Sequence, residues 1–333
     1  MKVAVIGVGY WGPNLIRNFL SLDEVENVVA CDRDESQLAK MRKRFPRIEI
    51  ASDYEEVLLR DDVEIVAIAT PVSTHFEIAK KSLLAGKHSW IEKPMTESSV
   101  EARELIEIAE KNHLKIFVDH TFIYTSAVRK MKEIITSGRL GELYYFDSVR
   151  VNLGLFQHDV NVIWDLASHD LSIMNYLLER KPLAVSAIGS CHVGNELEDI
   201  AYLTLIFENN LIAHFHVNWL APVKVRKTLI GGTKSMIVFD DMETSEKIKI
   251  YDKGIEVENK EGVYETLVQY RTGDMLSPKI SQVEALTVAA QHFIDCIIND
   301  KTPLTDGIAG LNVVRILEAS TASIKNQGKM IEI

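Results

Sequence analysis

Val3-Ala4-Val5-Ile6-Gly7-Val8-Gly9-Tyr10-Trp11-Gly12 is a short apolar run that ends in glycines spaced G-x-G-x-x-G. The apolar part is too short for a helix and reads as a strand buried on both faces, as in a parallel sheet. Pro13 to Leu20 then has helical character, with Pro13 suited to a first-turn position. The glycines take their meaning from this strand-turn-helix context. Gly7 permits the tight turn, Gly9 lets the backbone approach a pyrophosphate, and Gly12 lets helix and strand pack closely. The helix N-terminus faces the phosphates, and Tyr10 and Trp11, within the same turn, are candidate cofactor-binding residues. Asp32 ends the apolar run Asn27 to Cys31, 20 residues beyond Gly12, where a carboxylate accepts from adenosine ribose hydroxyls. The expected ligand is a nicotinamide dinucleotide. A carboxylate at Asp32 repels the extra phosphate of NADP and favours NAD. Arg33 leaves NADP as the alternative, since a guanidinium pairs with that phosphate.

Working outward, helix is expected over Glu35 to Arg44, with Ser52-Asp53 as the N-cap of a helix from Tyr54 to Leu59. Val63 to Ala69 reads as a strand ended by Thr70-Pro71, His75 to Ala85 as a helix, and Ser89 to Glu92 as a strand running into Lys93-Pro94. Thr96 to Asn112 is helical and Lys115 to Asp119 is the next strand. Strands alternating with helices in this way mark a doubly wound parallel sheet of the Rossmann type. After a helix near Ala127 to Ser137 the pattern changes to strands: Leu143 to Val151, Pro182 to Ser190, Ile200 to Phe207, Leu211 to Trp219, Val225 to Ile230, Ser235 to Asp240 and Lys247 to Asp252. One helix, Trp164 to Leu178, interrupts them, and helices near Gln282 to Asn299 and Gly307 to Lys325 precede a short strand from Met330 to Ile333. The expected fold is α/β: a dinucleotide-binding domain over residues 1–121, then an α+β domain over 122–333 built on a large, mostly antiparallel open sheet. The helix over about 305–325 is expected to pack back on the first domain.

The chain has 333 residues and a formal net charge of -11, which argues against a nucleic-acid surface or an anionic membrane surface. Three cysteines, Cys31, Cys191 and Cys296, are too scattered for a disulfide framework or a zinc site. With no signal-peptide pattern and no apolar stretch long enough to span a bilayer, a cytoplasmic protein is expected. His214 and His216 share one strand face but have no carboxylate or thiol at compatible spacing, so no metal is expected.

The segments Ala69-Thr70-Pro71, His75, Ala85-Gly86-Lys87-His88 and Glu92-Lys93-Pro94 together resemble the glucose–fructose oxidoreductase/inositol dehydrogenase (Gfo/Idh/MocA) family, and the resemblance extends over essentially the whole chain. It implies an NAD(P)-dependent dehydrogenase acting on a carbinol of a sugar or polyol. Lys93 would then sit beside the substrate hydroxyl, Glu92 and Thr70 to Pro71 near the nicotinamide ribose, and His75 with the cofactor. The Lys93–Pro94 bond would be cis. Val72 and Ser168 depart from the family pattern, where Asn and Pro are expected.

Asp165 and His169 are four apart in a helical stretch and share one face. Removing a hydroxyl proton while hydride leaves calls for a base that titrates near neutrality, which suits an imidazole. Inositol dehydrogenase-like members carry the same Asp-x-x-x-His pattern. By that resemblance His169 is the base, Lys93 stabilises the developing alkoxide, and Asp165 orients the imidazole. The loop from Arg150 to Trp164, with Asn152, Gln157 and Asn161, suits a carbohydrate's hydroxyls and ring face. This loop and Thr121-Phe122-Ile123-Tyr124 resemble the branch that oxidises the 3-hydroxyl of UDP-N-acetylglucosamine-type sugar nucleotides, which adds Tyr124 to the substrate side. A diphosphate needs cations, for which Arg150, Lys224 and Arg226 are candidates. The alternatives are a free sugar, inositol or dihydrodiol as substrate, and, from another class, a non-catalytic NADH-binding regulator. The family usually assembles through its sheet, so a homodimer or homotetramer is expected, with Phe207, Phe215 and Trp219 on the contacting face.

Overall fold

Valine and isoleucine dominate the first strands because these strands have no wet side: Val3, Ala4, Val5 and Ile65 to Ile68 are essentially inaccessible to solvent. A computed structural model describes residues 1–154, 160–193, 197–252, 254–258, 267–271 and 273–333, with backbone only for 254–258 and 267–271. The chain divides into two compact units, Met1–Tyr124 with Val283–Glu318, and Thr125–Gln282 with Ala319–Ile333.

In the first unit β1 (Lys2–Ile6), β2 (Asn27–Cys31), β3 (Glu49–Ala51), β4 (Ile65–Ile68), β5 (His88–Ile91) and β6 (Ile116–Val118) form one parallel sheet in the order β3-β2-β1-β4-β5-β6. The order reverses between β1 and β4, so a crevice opens outside their carboxyl ends. The helices are α1 (Gly12–Phe19), α2 (Glu35–Arg44), α3 (Tyr54–Leu58), α4 (His75–Leu84) and α5 (Ser99–Lys111). Pro13 occupies the first turn of α1, and Asp34, Asp53 and Ser98 cap α2, α3 and α5 by accepting from backbone N–H groups. β3 escapes sequence reading because its three half-buried residues are too few to show a period.

The second unit opens with α6 (Ser126–Thr136) and β7 (Leu143–Leu153), followed by a π-helical turn (Ile163–Ala167) that leads into α7 (Ser168–Leu178). Then come β8 (Ala184–Ser190), β9 (Ile200–Ile206), β10 (Ile212–Asn218), β11 (Leu220–Gly232), β12 (Met236–Asp240), β13 (Ile248–Tyr251), the paired strands β14 (Gly254–Glu258) and β15 (Leu267–Arg271), β16 (Met275–Leu276) and, at the far end of the chain, β17 (Ile331–Glu332). Among the described residues the sheet runs β16-β13-β12-β11-β7-β10-β9-β8-β17, and of its pairings only β7 with β10 is parallel. Period-two alternation sorts its faces. Ala201, Leu203, Ala213 and Phe215 are buried, whereas Ile188, Tyr202 and Ile212 are exposed. Phe207, Phe215 and Trp219, expected at a contacting face, are 3%, 0% and 1% exposed. They pack into the chain's own core, because their strand parity places them on the inward side.

Two further helices are α8 (Ala285–Ile298) and α9 (Gly307–Lys325). Sequence reading returns only the region about 305–325 to the first domain, whereas the first unit takes Val283–Glu318, so α8 belongs to it as well and α9 belongs to it only up to Glu318, its last residues going with the second unit. Its Phe293 ring lies 5.2 Å from Phe117, which stacks on Trp90 at 4.0 Å. Among the described residues no helix is long and apolar enough to cross a membrane.

Candidate active site

The glycine turn is built as its spacing demands. Gly7 has φ +87°, and a Cβ there would lie 2.7 Å from the Ala69 carbonyl oxygen. A Cβ on Gly12 would lie 2.1 Å from the Gly7 oxygen. Gly9 differs, since a Cβ there meets nothing within 4 Å. Gly7 and Gly12 are thus required by the protein's own packing, whereas Gly9 borders open space, as the approach of a pyrophosphate needs. Asp32 Oδ2 accepts from Val8 N at 2.9 Å and Oδ1 from Asp34 N at 2.9 Å, so this carboxylate pins the turn to the end of β2. Gly7, Gly9, Tyr10, Trp11, Asp32 and Arg33 line a cleft of about 820 Å³ within the first unit. Thr70 and Pro71 line it too, with Thr74, whose Oγ1 donates at 2.7 Å to Thr70 Oγ1 or 2.8 Å to the Pro71 carbonyl. Tyr54, Ser73 and Thr74 are lining residues that sequence reading missed: Tyr54 reads only as the start of α3, and small polar residues in a short turn, such as Ser73 and Thr74, carry no signal of their own.

Beside this cleft, the ends of β4 and β5 are tied together by a histidine. The His75 ring nitrogens lie 2.9 Å from the carbonyl oxygens of Pro94 and Thr70, and the side chain is buried. Expected as a cofactor ligand, His75 instead braces the two turns that line up Thr70 and Lys93. The Lys93–Pro94 bond is cis. Sequence reading also missed Asp119 and His120 at the end of β6, each 1% exposed. A pair of polar residues closing a buried strand, like Glu92-Lys93 on β5, was the available signal. Burial pushes the Glu92 carboxyl well above the usual carboxylate range, and the neighbouring Asp119 adds to it. Burial also raises Asp119, and it lowers His120 to about 3, assisted by the Lys93 ammonium. Tyr124 departs from expectation. It is 1% exposed, its hydroxyl lies 3.2 Å from Thr305 Oγ1 and its ring packs on Phe117, so it is a core residue of the first unit.

In the second unit Asp165 lies in the π turn and His169 in the first turn of α7. A π turn widens the helix locally and often marks a functional position. Asp165 Oδ2 accepts from Trp219 Nε1 at 3.0 Å, an indole that sequence reading had no means to connect with it. Asn161, expected to touch substrate, is buried: its Oδ1 accepts from the backbone N–H groups of Ile163 and Trp164 and its Nδ2 donates to Glu198 Oε2 at 2.7 Å. It caps the helical segment that carries Asp165. Trp164 Nε1 donates to Thr321 Oγ1 at 3.0 Å. Asn152 is half-buried near the end of β7, and Gln157 lies outside the described residues.

Arg150 corrects the expectation of a diphosphate cation. Its guanidinium is 3% exposed and makes a two-pronged bond to the Asp170 carboxylate, at 2.6 and 3.0 Å. Arg226 stands opposite Arg150 in the ladder and pairs with Asp241 at 3.4 Å, leaving Lys224 as the exposed cation of the three. His214 and His216 lie against the Tyr202 ring on the sheet's outer face. Among the described residues no group of three or more His, Cys, Asp or Glu side chains is placed to hold a metal.

Comparison with known proteins bears on both units. Residues 1–120 match the model of an oxidoreductase family described as an NAD-binding Rossmann fold (GFO_IDH_MocA), and residues 128–238 match the GFO/IDH/MocA C-terminal domain. The chain is 26% identical over 321 residues to a UDP-N-acetylglucosamine 3-dehydrogenase from Acidithiobacillus ferrooxidans, covering 94% of each chain. A solved structure of that dehydrogenase superposes with a TM-score of 0.79 at 24% identity over 98% of both chains. GenD2 from gentamicin A biosynthesis, solved with NAD, superposes with a TM-score of 0.84 at 21% identity, covering 100% of this chain and 96% of that one. At these identities the superpositions establish the fold.

Proposed function

Because the chain belongs to the Gfo/Idh/MocA oxidoreductase family, with its NAD-binding Rossmann fold, we propose that it oxidises a secondary alcohol of a sugar, namely the 3-hydroxyl of a UDP-N-acetylhexosamine. The structural observation that carries the redox part is the cleft bordered by Gly9, Asp32 and Thr70–Pro71, which leaves open space where the glycine turn would meet a pyrophosphate. The sugar-nucleotide part rests on the relative that covers 94% of the chain.

Asp32 accepts from the ribose hydroxyls, and the N-terminus of α1 faces the phosphates. The bound nicotinamide supplies an acceptor for hydride. His169 takes the hydroxyl proton while the electron pair of the C3–H bond leaves as hydride. The alcohol would become a ketone, with the hydride passing to the acceptor that a bound nicotinamide would supply, and the imidazole of His169 would release its proton to water. Lys93 stabilises the developing alkoxide, and Asp165, held by Trp219, orients the base. Protein mixed with NAD⁺ and a panel of UDP-sugars is expected to generate NADH absorbance with a UDP-N-acetylhexosamine. Turnover of inositol or free sugars alone would remove this substrate and leave the dehydrogenase. His169→Ala is expected to lower kcat by roughly 10²–10⁴-fold with NADH affinity unchanged; full turnover in that variant would transfer the base role to Lys93.

A second reading, a free sugar, inositol or dihydrodiol, gains support from Arg150, whose charge is already matched by Asp170. Reversing Lys224 and Arg226 together to Glu separates the two: a raised KM supports a held diphosphate, and an unchanged KM supports the smaller substrate. We further propose a homodimer or homotetramer through the outer sheet face, where Ile188, Tyr202 and Ile212 are exposed. Tyr202→Glu should then lower the mass seen by light scattering. A cytoplasmic location remains part of the proposal on compositional grounds.

A further inference from the structure

The carboxyl ends of β5 and β6 carry an acid pair to which the reaction above assigns no role. Ile91 stands opposite Val118 in the parallel ladder, and Asp119 N donates to the Ile91 carbonyl at 2.8 Å. The next residues on each strand, Glu92 and Asp119, are therefore side by side, close enough for their carboxyl groups to share a hydrogen bond. Two carboxyl groups form such a bond only when one of them holds a proton.

The other partners decide which one. Asp119 Oδ2 accepts from Trp11 Nε1 at 3.3 Å, and Oδ1 accepts from Thr121 Oγ1 at 2.5 Å. Among the described residues the buried Oε1 of Glu92 has no hydrogen-bond partner. Donors stabilise an ionised carboxylate, so the charge belongs where they gather. The remaining titratable groups nearby are Lys93, adjacent in the chain, His120, which burial and Lys93 hold neutral, and His75, bonded to the carbonyls of Thr70 and Pro94.

We propose that Glu92 and Asp119 share one proton, Glu92 as the neutral acid and Asp119 as the ionised partner, and that Asp119 is a positioning residue presenting Glu92 to the cofactor as an uncharged group. The cofactor half of this statement rests on the dinucleotide reading above; the shared proton does not. Buried and without a donor, Glu92 Oε1 carries the partial charge of a carbonyl at far less cost than it would carry a carboxylate's charge. An uncharged Glu92 adds no carboxylate that would favour the cationic NAD⁺ ring over NADH. Trp11, which lines the cleft, is held by the same carboxylate and couples the pair to the cofactor side.

Infrared spectroscopy of the cofactor-free protein above pH 7 tests the proton directly. A protonated-carboxyl band is expected that moves when glutamate is ¹³C-labelled, stays when aspartate is labelled, and disappears in Glu92→Gln. Absence of a glutamate-derived band in the wild-type protein overturns the shared proton, whether or not any variant folds. In Asp119→Asn the like charge is gone and Lys93 draws the negative charge onto Glu92, so the band should vanish there too; its persistence overturns the part assigned to Asp119. The positioning role is read from the ratio of NAD⁺ to NADH affinity. In Asp119→Asn it should shift toward NAD⁺ by roughly three- to tenfold, the effect of a unit charge moved closer in a medium of effective dielectric near 20. An unchanged ratio overturns that role and leaves the dehydrogenase reading intact.

Discussion

The glycine turn of the first unit and the segment from Asn161 to Asp170 of the second carry the two halves of the proposed chemistry, and they are built in opposite ways. The turn depends on backbone conformation settled nearby: a positive φ at Gly7, Pro13 in the first helical turn, and a carboxylate 24 residues away that bonds the turn directly. The Asn161–Asp170 segment depends instead on side chains supplied by other elements of the second unit. Asn161 is held by Glu198, Trp164 by Thr321, Asp165 by Trp219 and Asp170 by Arg150. A site made of backbone geometry announces itself through glycine and proline. A site made of side-chain placement requires its distant partners before any of its residues has a defined role.

The largest expected effect breaks the turn. Gly12→Ala places a methyl group 2.1 Å from the Gly7 oxygen, so the backbone must shift; NADH binding, followed by energy transfer from tryptophan, should weaken at least about 100-fold and the melting temperature should fall. Gly9→Ala is the contrast. With open space around it, stability should stay within about 0.5 kcal/mol while NADH affinity drops. A Gly9 variant that loses stability as well would mean that the open space is not the cofactor's.

The next effect falls on the second unit. Arg150→Met leaves the buried Asp170 carboxylate without its partner and should cost about 3–5 kcal/mol in urea unfolding, most of it recovered when Asp170→Leu is added. A loss of substrate affinity with stability unchanged would restore Arg150 to the substrate side. Smaller still is Trp219→Phe, which removes the indole donor to Asp165. Turnover should fall by an amount equivalent to about 1.5–3 kcal/mol, with NADH affinity unaffected.

The gentlest effect is one of pH on the first unit. His120 and His88 are held neutral by burial, at about 3 and about 4, with Lys93 and Lys115 assisting. Unfolded imidazoles titrate near 6.5, so below about that pH the unfolded chain takes up protons that the folded chain refuses. The stability associated with these groups is full above about pH 6.5 and declines as pH falls toward the folded values. Urea midpoints measured from pH 7.5 down to 5 should fall less steeply in His120→Leu; identical slopes would place His120 outside the titration.

Much of the first sheet was legible because each strand shows as an apolar run ended by glycine, proline or an acid, and the run lengths match buried parallel strands. β3 was not, being three half-buried residues. Nor was the membership of α8, whose apolar face could have packed anywhere until Phe293 met Phe117. The same limit explains the misread side chains. Tyr124, Asn161 and Arg150 each have a polar group suited to a sugar, and each uses it inside the fold, on Thr305, Glu198 and Asp170. Polar character in a sequence says that a group needs a partner, not whether that partner is ligand or protein.

The amino-acid sequence by itself determined the strand-turn-helix around Gly7 to Gly12, the acid at Asp32, the Thr70–Pro71 and Glu92–Lys93–Pro94 turns and the change to an antiparallel sheet, because these follow from short-range sterics and periodicity. Tertiary structure alone decided that Asp119 stands against Glu92, that Trp219 holds Asp165 and that Arg150 is matched by Asp170. Those pairings depend on strand register and on chain crossings tens of residues apart, and burial, which assigns the protons and charges, exists only once the chain has folded.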